Sequence, residues 1–367
     1  MHHTLLPKKH SKEYLQMAEV SYVSAVNDAI HIAMNLDSSV IFYGLGATDP
    51  KEIFGTTAGL AKKFGHSRVF DTPTSENGMT GIGIGAAIGG MRTIMTHQRL
   101  DFFLLAMDQL VNSAAKWHYM FGSQVSVPIT IRLIIGRGWG QGPTHSQNLQ
   151  AWFAHVPGLK VVMPTTPADA KGLLLSSIFD PNPVVFLEHR WLHESVGEVE
   201  EGDIRVPIGV AKIVRSGRDV TVVAASYLTV EAIQAAKVLA EEGIDCEVID
   251  LRTISPLDWE TIYDSVKKTK RIIVLDSGAQ NGSVAGEIIA RVAMKQHHIL
   301  SAAPVRLAMP DVPEPTSFGL TKGFFIRGID IYKNAMVMFG KPETSKVSAL
   351  LEPSPHDVPG EWFKGPF

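Results

Sequence analysis

Glu76 stands at the head of the most glycine-rich stretch of the chain, followed by Gly78, Gly81, Gly83, Gly85, Gly89 and Gly90. Gly81, Gly85 and Gly89 recur every fourth residue, so in a helix they form one smooth stripe that lets another backbone come close. A carboxyl taken out of water at such a place suits general acid/base work; it is equally at home as an ordinary first-turn carboxylate. A second candidate is the loop Gly136-Arg137-Gly138-Trp139-Gly140-Gln141-Gly142-Pro143-Thr144-His145. It carries neither the Lys-Ser/Thr ending of a phosphate-cradling loop nor the dinucleotide fingerprint. What it offers is His145, which can give or take a proton near neutral pH or simply shape the loop.

These residues need elements to hold them. Apolar residues recur at helical spacing over 14–36, and a short buried strand follows at 40–43. The alternation continues with a helix at 53–64, a strand at 93–96, a long helix over 103–121 and strands at 127–135, 160–163 and 184–187. Thr166 and Pro167 supply the cap and first residue of a further helix. The acidic, aperiodic stretch 191–207 reads as a linker, after which strands at 219–224, 246–250 and 271–275 alternate with helices at 229–242, 258–267 and 282–294. The expected fold is α/β: two domains, 1–190 and 208–340, each a mainly parallel sheet flanked by helices, with a Pro-rich tail over 341–367.

Composition narrows the function. The 367-residue chain, 45% apolar with a formal net charge of −3, lacks the basic excess of nucleic-acid binders. No apolar run approaches the ~20 residues that span a bilayer. The N-terminus has no secretory pattern, and Cys246 is the single cysteine, so no intrachain disulfide forms and a reducing, cytoplasmic setting is expected.

Taken together, Phe70-Asp71-Thr72-Pro73-Thr74-Ser75-Glu76, the glycine-rich helix, Asp108-Gln109-Leu110-Val111-Asn112-Ser113-Ala114-Ala115-Lys116 and Thr144-His145-Ser146-Gln147 resemble successive motifs of the β subunits of 2-oxo acid dehydrogenase E1 components. These belong to the transketolase-like superfamily. Val248-Ile249-Asp250-Leu251-Arg252-Thr253-Ile254-Ser255-Pro256-Leu257-Asp258 continues the resemblance, which covers residues 15–335. It implies a pyrimidine-binding domain of thiamine diphosphate enzymes followed by a transketolase C-terminal domain. In that family the glutamate matching Glu76 bonds N1′ of the cofactor's aminopyrimidine, an aromatic matching Phe102 packs on that ring, and the histidine matching His145 lies toward the substrate.

The superfamily's Gly-Asp-Gly…Asn motif, which holds Mg2+ and the diphosphate, is missing; Gly202-Asp203-Ile204 is the nearest fragment. The resemblance therefore implies a separate α subunit that carries it, in a heterotetramer of two α and two β chains. Further partners are a small 2-oxo acid or ketose and a lipoyl acyltransferase. Leu45 and Gly46 replace a common acidic pair, and His97, Gln98 and Arg99 replace an acidic or apolar stretch. His97 and Arg99 would then bring positive charge to a phosphorylated or carboxylated substrate, which keeps open a split transketolase-like transferase as the alternative to a dehydrogenase. Some relatives bind potassium at positions matching Ile129, Ser177, Ile178, Asp180 and Asn182.

Overall fold

The structure is a computed structural model and describes residues 17–50, 52–137, 140–350 and 356–359. Its largest sheet has seven strands in the order β12-β6-β7-β5-β4-β2-β3. These are β2 (Val40–Gly44), β3 (Val69–Asp71), β4 (Arg92–His97), β5 (Ile129–Ile135), β6 (Lys160–Val162), β7 (Val184–His189) and β12 (Thr253–Ser255). All pair in parallel except β12, which runs antiparallel to β6. Every residue of β5 and β7 is buried, as continuous Val/Ile/Leu runs require when helices cover both faces. The second sheet, β14-β13-β10-β11-β9, is formed by β9 (Lys212–Arg215), β10 (Val220–Ala224), β11 (Cys246–Asp250), β13 (Ile272–Ala279) and β14 (Val305–Met309), with β9 antiparallel.

The two sheets are closely joined. Because β12 follows the second sheet's β11 yet pairs with β6, the polypeptide stitches one sheet to the other. Arg252, just before β12, reaches back to Asp169 at 2.9 Å in a pair that is largely buried. Trp191, 1% exposed, stands edge-on to Tyr227 and Phe325 at 4.7 and 5.0 Å between centroids. Each of the two apolar layers draws residues from both sheets.

Several elements differ from the sequence expectation. The first helix is Tyr22–Leu36, started by the Ser21 hydroxyl accepting from the Ser24 amide. Residues 17–21 instead form β1 (Met17–Ser21), paired antiparallel with β8 (Val196–Glu200), so the stretch read as a linker carries a strand. Residues 14–16 lie outside the described part. The helix expected over 53–64 is confined to Leu60–Phe64, since Glu52, Ile53 and Phe54 hold φ of 49, 45 and 59°. The long helix over 103–121 is broken into Leu100–Phe103, a tight turn at Leu104–Ala106, a wide π turn at Gln109–Ala114 and a last helix at Ala115–Met120. The helix Pro167–Ile178 begins as expected, with Thr166 accepting from the Asp169 amide.

Candidate active site

Parallel sheets collect ligands outside the carboxyl ends of their strands, and here β2, β3, β4, β5 and β7 end at Gly44, Asp71, His97, Ile135 and His189. The Asp71 carboxylate ties two of these ends together by accepting from the Gly46 amide at 3.0 Å. Five residues on, Glu76 opens the helix Glu76–Ile88. It is 6% exposed. The Thr80 hydroxyl donates to its carbonyl at 2.7 Å, while no group among the described residues donates to its carboxylate. The carboxylate thus stands beside the uncapped amides of a helix start with its acceptor positions open.

The helix is seated by a glycine that the sequence pattern did not single out. A Cβ on Gly83 would overlap the Tyr43 hydroxyl and lie 3.3 Å from Ile129 Cδ1, so only glycine lets the helix lie on β2 and β5. Tyr43 also donates to the Met79 carbonyl at 3.2 Å. The Gly81, Gly85, Gly89 stripe faces elsewhere: Gly85 has open space around it, and the neighbouring Ile82 is 73% exposed.

On the other side of the helix, the turns that follow Phe102 pack against it. Phe102 is itself half-exposed and meets the exposed His145 ring edge to face, centroids 5.3 Å apart at 89°. Their meeting is arranged by neighbours. Asp101 accepts from Gln147 Nε2 at 2.8 Å, joining the far end of the glycine-rich loop to the Phe102 turn. At the near end, Gly136 has φ +78° and lies so close to the His189 ring that a Cβ would overlap it.

The structure thus brings a carboxylate without a partner among the described residues, an open aromatic face and a loop histidine to one end of a parallel sheet, and comparison with known proteins says which such sheet it is. The family description "Transketolase, pyrimidine binding domain" matches residues 18–194, and "Transketolase, C-terminal domain" matches 209–328. The acetoin:2,6-dichlorophenolindophenol oxidoreductase subunit beta of Cupriavidus necator is 42% identical over 309 residues, covering 82% of this chain and 91% of that protein. The pyruvate dehydrogenase E1 component subunit beta of Rhizobium meliloti is 42% identical over 308 residues, covering 84% and 67%. The chain belongs to the E1 β-subunit family. Its fold is also that of a solved split-gene transketolase, described as an inactive β4 tetramer, at TM-score 0.71 and 20% identity over 88% of this chain and 99% of that one.

Within this E1 β-type framework His97 and Arg99 differ from the expectation of two added charges. His97 is fully buried at the end of β4, edge-on to Phe103 at 5.2 Å, and burial lowers its pKa to about 4. It is a neutral ring at pH 7, because nothing near it repays the loss of water. Burial, and then the Arg190 charge, lower Arg99 to about 10, which leaves it cationic. Arg99 donates from Nη1 to the Gly136 carbonyl at 2.9 Å, and its Nη2 has no partner among the described residues. Phe54 covers it, with the Arg99 and Arg190 guanidinium carbons 6.0 and 4.7 Å from the ring centroid.

The potassium candidates lie at and beside the turn after Ser177. Ile129 is in β5, while the carbonyls of Ile178 and Asp180 accept from Arg92 at 3.2 and 3.3 Å. The Asp180 carboxylate accepts from the Asn182 amide at 2.8 Å and pairs with Lys160. A cation here would share two of its carbonyls with a guanidinium. Among the described residues no cluster of three or more His, Cys, Asp and Glu side chains is placed to hold a metal.

Sequence reasoning missed Asp101 and Phe54, and it named Gln147 and Gly83 only as members of a motif and of the glycine-rich stretch, without the contacts they make. Asp101 and Gln147 are distant in sequence, and no local pattern reports a bond between them. Gly83 was hidden by its more regular neighbours.

Proposed function

We propose that this chain is the β half of a thiamine diphosphate-dependent E1 enzyme that decarboxylates a 2-oxo acid and hands the acyl group to a lipoyl acyltransferase. A separate α subunit would supply the diphosphate and Mg2+ motif, in a heterotetramer of two α and two β chains. The observation that carries the reading is Glu76, largely buried, with a carboxylate that accepts no hydrogen bond among the described residues. When bound, thiamine diphosphate supplies a carbanion-stabilising thiazolium. Glu76 would bond the aminopyrimidine at N1′ and hold the proton there, Phe102 would offer its open face to that ring, and His145 would exchange a proton at the substrate. Arg99, still charged beneath Gly136, would attract the substrate's carboxylate, with His97 as a neutral packing ring beside it. Potassium, if bound, would have to share carbonyls with Arg92. No helix among the described residues is long and apolar enough to cross a membrane, and the buried thiol of Cys246 suits a reducing cytoplasm.

The test is reconstitution with the α subunit and assay against a panel of 2-oxo acids and ketose donors. We expect 2-oxo acid turnover by the complex and weak or no cofactor binding by the β chain alone. Tight Mg2+-dependent binding of thiamine diphosphate to the isolated chain in calorimetry would overturn the split site. Turnover of ketoses in place of 2-oxo acids would overturn the dehydrogenase.

A further inference from the structure

Residues 356–359 lie beyond the stretch 209–328 matched by the C-terminal domain family, yet they are packed into the molecule beside the glycine-rich loop. Asp357 is 1% exposed and Val358 5%. The Asp357 carboxylate accepts from Arg137 Nη2 at 3.2 Å, in an ion pair whose side chains are 1% and 2% exposed. Arg137 is the second residue after β5 and so sits at the root of the loop that carries His145. Its guanidinium also donates to the carbonyls of Pro315 at 2.5 Å and Thr316 at 3.3 Å. The same loop touches that segment again at Gly142, where a Cβ would overlap the Thr316 hydroxyl.

The short segment is itself anchored to the second sheet's side of the molecule. Arg327 donates to the carbonyls of His356 at 3.1 Å and Val358 at 2.8 Å, and its other nitrogen reaches Glu231 at 3.2 Å. The His356 ring lies on Phe318 with centroids 4.0 Å apart, and its Nε2 lies 2.8 Å from the Phe318 carbonyl. A continuous polar chain therefore runs from Glu231 through Arg327, residues 356–358 and Arg137 into the loop. With Asp357 removed, Arg137 would be a buried cation without its ion-pair partner, left with the Pro315 and Thr316 carbonyls and the nearby Glu314. Burial pushes the Glu314 carboxyl up to about 8, so that it is largely protonated at pH 7. That is an unfavourable state, which the loop can leave by swinging Arg137 into water.

We infer that Asp357 is a positioning residue: the 356–359 segment straps down Arg137 and so sets where the loop presents His145. The inference rests on the proposed role of His145 for its consequence in catalysis, and the experiment separates the two. In the assembled α/β complex, hydrogen–deuterium exchange of peptides covering 136–145 is compared for wild type, Asp357→Asn and Asp357→Glu, with kcat and KM for the preferred 2-oxo acid. Asp357→Asn should speed loop exchange by about tenfold while peptides of β10 and β13 stay protected. KM should rise by about tenfold with a smaller fall in kcat, since substrate meets a loop that is mostly displaced. Asp357→Glu keeps the charge, and with it the fold, and should fall between the two. Wild-type loop exchange in both variants would overturn the strap. Faster loop exchange with unchanged kcat and KM would leave the strap standing and overturn the loop's place in the active site.

Discussion

At the carboxyl edge of the seven-stranded sheet Arg99 Nη2 and both nitrogens of His97 are buried without a partner, and the carboxylate of the largely buried Glu76 accepts no bond, among the described residues. At the matching edge of the five-stranded sheet, the acids are turned to fastening. Asp276 in β13 accepts from the amides of Gly278 and Ala285 and from Gln150 of the first domain. Asp250, at the end of β11, accepts from the Arg252 amide, and Arg252 then pairs with Asp169 across the domain boundary. The two sheets share an architecture, so architecture does not decide which edge does chemistry. What separates them is whether the acid is tied to its own chain: Asp276 and Asp250 each accept at least one bond, although Asp250 Oδ2 has none among the described residues, while the Glu76 carboxylate accepts none. An acid tied to its own chain helps hold the structure together, and one without such a tie is open to a partner from elsewhere.

This contrast predicts different failures at the two edges. The largest effect is expected at Glu76: Glu76→Gln keeps the side chain's volume and removes the proton-exchanging group, so turnover of the complex should fall by about 10²–10⁴-fold with assembly unchanged. Near-normal exchange of the cofactor's C2 proton in that variant would remove Glu76 from its role. Next in size is Asp169→Ala, which leaves Arg252 buried without its acid and should cost about 3–5 kcal/mol of stability in denaturant unfolding while lowering activity only through lost protein. A selective loss of activity at full stability would erase the distinction between the edges.

The glycine-rich helix offers a sharper comparison within one element. Gly83→Ala should destabilise the isolated chain by about 1–3 kcal/mol, because the methyl meets the Tyr43 hydroxyl. Gly85→Leu enters open space in this chain and should leave its melting temperature unchanged while weakening assembly with the α subunit in sedimentation. Wild-type assembly by Gly85→Leu would show that the stripe is not an interface.

The smallest effect concerns pH. Burial pushes Asp250 up to about 7 from its ordinary 3.8, so the folded chain keeps a proton that the unfolded chain releases. Stability from this group is full below about pH 4 and is lost as pH rises toward and through 7. Asp250→Asn should flatten that slope and raise the melting temperature at pH 8 by a few degrees, about the shift that 1 kcal/mol gives in a chain of this size. An unchanged slope would show that Asp250 does not titrate in this window.

Most strands were legible because fully apolar runs such as Ile129–Ile135 and Val184–His189 admit few other readings. Of the three-residue strands, Lys160–Val162 was legible from its apolar run, whereas Val69–Asp71 and Thr253–Ser255 carry polar residues among too few positions to show a period and pair where a neighbouring strand offers its edge. The helix over 103–121 was legible as helical but not as broken, since spacing does not report a π turn. Of the site, Glu76, Phe102 and His145 were named from motif resemblance, whereas the Asp101 to Gln147 bond that couples the Phe102 turn to the loop spans 46 residues and has no local trace.

What the sequence determined by itself is the inventory and its order. It holds an α/β alternation, one glutamate heading a glycine-rich helix, a glycine-rich loop ending in a histidine, and no diphosphate motif. These follow from local propensity and residue type, which are properties of neighbouring residues. The tertiary structure decided the charge state and the tethering. His97 is neutral because folding strips it of water, and Arg99 stays charged. Gly83 and not Gly85 carries the internal contact, and a segment near residue 357 is paired with the loop at 137. Burial and long-range pairing depend on which distant residues fold onto a side chain, and only the assembled structure supplies that environment.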